Sequence, residues 1–74
     1  MATLDVRPLM AAGKEPFDAI MAAVGALGPD EELELLAPLD PVPLYAVLGA
    51  QGFGHETEAL GGGEFRVVFR REVG

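Results

Sequence analysis

The chain has 74 residues, 12 carboxylate and 5 cationic side chains, a net charge of −7 and a pI near 4.3, enough for one small domain spanning residues 1–74. So acidic a surface repels phosphate backbones and anionic lipid, which sets nucleic acid and membranes outside the expected partners. Cysteine and serine are both absent, which excludes disulfides, zinc–thiolate sites and thiolate or serine nucleophiles.

Thr3 to Arg7 alternates apolar Leu4 and Val6 with polar Asp5 and Arg7, the period of a short strand that Pro8 ends. Leu9 to Glu15 reads as a loop holding Met10 and Gly13. A helix is expected from Pro16, because proline's missing N–H costs nothing at the first helical position. Phe17, Ile20, Met21, Val24 and Leu27 form one apolar stripe along it. Glu15 and Asp18 lie at the positive end of its dipole, and Gly28-Pro29 stops it.

Glu32 to Ala37 alternates again and predicts a second strand. Asp40 is placed to cap a second helix that Pro41 begins, with Leu44, Val47 and Leu48 as its buried face and Gly52 at its end. His55–Leu60 and Glu64–Arg71 read as two further strands joined by a Gly61–Gly63 hairpin loop. The longest stretch without Asp, Glu, Lys or Arg, Pro41 to His55, is too short and too broken by proline and glycine to cross a bilayer. The opening Met1-Ala2-Thr3-Leu4-Asp5 meets a carboxylate with no apolar run ahead of it, so a cytoplasmic location is expected.

The order β-α-β-α-β-β predicts an α/β (α+β) two-layer sandwich with a mixed four-stranded sheet. Right-handed crossovers put both helices on one face of it. The other face carries Asp5, Arg7, Glu32, Glu34, Glu56, Glu58, Arg66 and Arg70, where cross-strand Glu–Arg pairs are structural.

Candidate sites are few. Asp5, Arg7 and Asp40 fall at strand ends, where open α/β sheets bind ligands, and Arg7 suits a carboxylate or phosphate. The alternative is that Asp40 caps its helix while Arg7 pairs with Asp5. Pro41 and Pro43 remove two donors from the second helix's first turn, which argues against an anion site there. Gly49-x-x-Gly52-x-Gly54 follows a helix and leads into a strand, the wrong context for a phosphate loop. His55, the only histidine, would need Glu56 or Glu58 to begin a metal site, and a transition metal needs more convergent ligands; no metal or cofactor is assigned. Tyr45 is read as a boundary residue with its hydroxyl at the surface. Met10, Phe17 and Met21, with Phe53, offer either an adaptable apolar patch beside Lys14 or simply core.

Leu4-Asp5-Val6-Arg7, then Glu15-Pro16 opening a helix, then Leu39-Asp40-Pro41-Val42-Pro43-Leu44-Tyr45 opening another, resembles the bacterial domain-of-unknown-function family 2249. That family looks related to the TusA/SirA-like sulfur carriers, and the resemblance implies their sandwich fold. The carriers place a persulfide-forming cysteine before the first helix in a Cys-Pro-x-Pro context. Here Met10 to Pro16 holds no thiol, and a thioether cannot carry a persulfide. Many members of family 2249 also have histidines where this chain has Leu39 and Glu15, which puts histidine-based metal or haem chemistry aside.

In the carriers, partners dock around the start of the first helix, which here implies Met10, Lys14, Phe17 and Met21. The expectation is a non-enzymatic, non-catalytic binding or adaptor module that meets a protein partner. A second copy of the chain, joined through the open sheet face or an edge strand, is one such partner. The other reading is a small-ligand or metal sensor built on Arg7, Asp40 and His55.

Overall fold

Glu64–Arg71 places Phe65, Val67 and Phe69 on one face with no glycine or proline to interrupt it, and it forms the strand around which the other elements assemble. A computed structural model describes residues 1–72. The elements are β1 (Ala2–Asp5), α1 (Arg7–Ala11), α2 (Phe17–Gly25), β2 (Leu33–Ala37), α3 (Val42–Ala50), β3 (Phe53–Gly61) and β4 (Glu64–Arg71). They make the expected mixed four-stranded sheet, in the order β1-β2-β4-β3. β1 runs parallel to β2, while β4 runs antiparallel to both β2 and β3. The last strand in sequence thus lies inside the sheet.

One face of the sheet is dry. Leu33, Leu35 and Ala37 of β2 and Val67 and Phe69 of β4 pack against Ile20 and Val24 of α2 and Leu44 and Leu48 of α3. The strand period of two supplies the first group, and the helix spacings i, i+4 supply the second. α2 rides over β1 and α3 over β3, leaving a gap between the helices.

The other face is an ion-pair grid. Arg66 on β4 reaches Glu34 on β2 and lies 3.8 Å from Glu58 on β3. Arg70 bonds Glu32 at 3.0 Å and Glu56 at 2.9 Å. Arg66 and Arg70 therefore each bridge carboxylates on both sides of β4, as expected of cross-strand Glu–Arg pairs. Val68 sits between them in register with Glu34 and Glu56 and is buried, since long charged side chains cover apolar surface with their stems. The Arg66 hydrogen bond holds the Glu34 carboxyl below the usual carboxylate range.

Several boundaries differ from the expectations, each for a local reason. The first strand covers Ala2–Asp5 rather than Thr3–Arg7, because Arg7 opens a helix instead of ending the strand. Leu9–Glu15 is not all loop: Pro8 sits in the first turn of α1, where proline is tolerated, and Met10 N–H donates to Val6 O at 3.0 Å. Gly13, at φ +75°, then ends that turn in a left-handed conformation. α2 stops at Gly25 rather than at Gly28, although Leu27 still reaches the core. β3 extends two residues before and one beyond the predicted span.

A further difference is the start of α3. Asp40 does not cap it; Pro41 is the capping residue, and no side chain caps this end. Val42 N–H turns back to Asp40 O at 2.8 Å, and Pro43 has no N–H, so the Asp40 carboxylate finds no backbone donor in the first turn. Among the described residues no helix is long and apolar enough to cross a membrane.

Candidate functional site

The gap between the helices is an apolar groove of about 320 Å³. Leu35 and Ala37 of β2, with Val6, form its floor. Phe17 and Ile20 of α2, with Met10 of α1, make one wall, and Leu44 and Val47 of α3, with Leu39, make the other. Phe17 and Val47 are each 37% exposed and Leu39 45%, so the rim is open to solvent.

Local chemistry places these side chains. Pro16 precedes Phe17 as the capping residue of α2, and the Glu15 carboxylate accepts the Phe17 N–H at 2.6 Å. A carboxylate there satisfies a donor that the helix leaves free and complements the dipole. Pro41 is buried under the opposite wall, and together with Pro43 it sets the entry of α3. Among the described residues Glu15 is the only charged side chain lining the groove. A cavity this size with no convergent polar groups takes an apolar side chain; it has little with which to orient a polar small molecule.

A family model described as an uncharacterized conserved protein (DUF2249) matches residues 3–71. The chain belongs to that family. No curated protein and no solved structure matches it.

Of the four residues expected at a partner surface, Met10 and Phe17 meet at the groove, although Met10 is half-buried on α1 rather than free in a loop. Met21 packs on the core beside Gln51, and Lys14 is exposed; neither lines the groove. Phe53 is core. Leu39 and Val47 were missed as site residues. Val47 shares the helical spacing of buried Leu44 and Leu48, and periodicity alone does not separate a rim position from a floor position.

Arg7 is fully engaged. Its Nε donates to Asp5 Oδ1 at 2.9 Å, its Nη2 to Asp5 Oδ2 at 2.8 Å and its Nη1 to Glu64 Oε1 at 3.1 Å. This bidentate pair lowers the Asp5 carboxyl below its ordinary value and raises the guanidinium above its own. Arg7 and Asp40 share no hydrogen bond, so the strand-end cluster is not assembled.

Asp40 instead joins Tyr45. The Tyr45 hydroxyl donates to Asp40 Oδ1 at 2.6 Å and, having one proton, accepts from Thr57 Oγ1 at 2.6 Å. The His55 ring stacks on Tyr45, with centroids 3.8 Å apart and planes within 2°. His55 lies on the helix side of β3, while Glu56 and Glu58 pair with arginines on the other face, so the three do not converge. Among the described residues no group of three or more His, Asp or Glu side chains is placed to hold a metal ion.

Burial first, and the Asp40 hydrogen bond second, push the Tyr45 phenol above its ordinary pKa, while the Thr57 bond pulls it down. Because the folded value lies above the unfolded one, near 10, this group leaves stability unchanged below that pH. Stability then falls as pH rises from the unfolded value to the folded one. With one tyrosine and no tryptophan, tyrosinate absorbance reports the site directly. Asp40→Asn is expected to move the titration down and Thr57→Val to move it up; shifts of the same sign in both variants would contradict the assigned donors.

Proposed function

We propose that this chain is a small, non-catalytic binding module on a TusA/SirA-like sandwich. Its working surface is the groove between α2 and α3, which receives an apolar anchor from a protein partner in the cytoplasm. The single observation that supports this is a solvent-open groove whose rim residues, Phe17, Leu39 and Val47, are apolar and exposed while its one charged lining residue is already bonded to a helix end. Contiguous exposed apolar surface on a domain with so little area to spare marks interaction sites. Sulfur transfer is set aside because the chain has no cysteine.

The test is capture from the source cells with the intact chain and with Val47→Asp side by side. A folded Val47→Asp, checked by circular dichroism, is expected to lose the proteins that the unaltered chain retains. Identical retention by both would remove the groove from the function.

A further inference from the structure

We infer that the groove's partner is a basic amphipathic helix: an apolar stripe that seats between α2 and α3, flanked by lysine or arginine. This rests on the docking reading above and adds the partner's chemistry to it. The shape comes from the two walls. α2 and α3 each connect strands that run in the same direction, so they lie alongside one another, and each offers an i, i+3 pair, Phe17 with Ile20 and Leu44 with Val47. Side chains three residues apart along two such helices match the i, i+3, i+4 anchors of a third helix laid between them.

The charge comes from how the chain spends its cations. Arg7, Arg66 and Arg70 are each held by two carboxylates on the sheet side, and Arg71 donates to Gly28 O and lies over the Phe53 ring. Of the carboxylates that no arginine holds, Glu15 lines the groove, while exposed Asp18 and Asp40, the latter accepting from Tyr45, directly follow its lining residues Phe17 and Leu39; Lys14, beside Glu15, is the one cation on these segments. Three carboxylates beside one ammonium select a cationic partner and steer its approach. The same excess disfavours a second copy of the chain, whose groove mouth repeats the same negative charge.

The test uses two synthetic helical peptides with one leucine stripe, flanked by lysine in the first and glutamate in the second, titrated into isotope-labelled protein followed by NMR. The lysine peptide is expected to shift the amides of Phe17, Leu39 and Val47 and to bind about tenfold tighter than the glutamate peptide, a gap that narrows as salt is raised. Glu15→Gln with Asp18→Asn, in which the Gln carbonyl still accepts the Phe17 N–H, is expected to remove most of that preference.

Equal affinity of both peptides at the groove would overturn the basic partner and leave the groove reading standing. If neither peptide moves the groove amides, the helical partner is overturned, and the Val47→Asp capture decides separately whether the groove docks anything. Groove signals that broaden with protein concentration alone would assign the surface to a second copy and overturn the inference.

Discussion

Phe69→Ala is expected to destabilise the domain by about 3–5 kcal/mol, the usual cost of emptying a buried phenylalanine site. Phe69 is wholly buried on the inner strand β4. The Tyr45 and His55 rings lean on it, each with centroids 6.2 Å away, so the cavity would open beneath a stacked pair whose Tyr45 hydroxyl is held by Asp40 and Thr57. At ~0.05–0.15 kcal/mol per residue a chain of this size holds roughly 4–11 kcal/mol in all. The variant should therefore unfold at much lower urea, or fail to fold, with Phe69→Leu falling between it and the unaltered chain. Urea melts followed by circular dichroism measure this; a loss under about 1 kcal/mol would mean that the site repacks.

The second large effect lies in the β3–β4 connection. Gly62 and Gly63 have φ of +63° and +82° and form a two-residue loop between the paired Gly61 and Glu64. Both central residues of such a loop must be left-handed to follow the twist of the strands. No atom lies within 4 Å of a side chain built at either position, so a substitution meets only its own backbone. Replacing both with valine is expected to cost about 2–4 kcal/mol, at roughly 1–2 per left-handed residue. Gly62→Asn, which leaves Asn-Gly, should be near neutral. A double valine variant as stable as Gly62→Asn would show that the loop has another low-energy shape.

Much of this architecture is legible in the sequence because the periodicities are clean. In β4, Phe65, Val67 and Phe69 alternate with Arg66 and Arg70, and its expected bounds, Glu64–Arg71, match; the stripe from Phe17 to Val24 could only be a helix against a sheet. α1 escaped because it is a single five-residue helix opened by proline; one turn is too short to display a period, and Pro8 reads equally as a strand stop. Asp40 was misassigned for a reason visible in Asp40-Pro41-Val42-Pro43: a capping carboxylate needs N–H groups in the first turn, and the prolines remove them. The groove was half legible. Met10 and Phe17 stood out by type, but Leu39 and Val47 join the site only through the spacing of α2 and α3 over different strands, which no local pattern encodes.

The place of β4 inside the sheet has a consequence for how the chain is made. A ribosome delivers β1, β2 and β3 before the strand that joins β2 to β3 exists. Until Glu64–Arg71 emerges, only the short parallel pair has a partner, and Arg66 and Arg70 are not yet there to neutralise Glu32, Glu34, Glu56 and Glu58. Residues 1–63 carry ten carboxylates against two cations, so the chain without β4 leaves those glutamates unpaired. Arrival of β4 supplies at once the hydrogen bonds that β2 and β3 lack and the counter-charge for their carboxylates, so one segment closes both open edges.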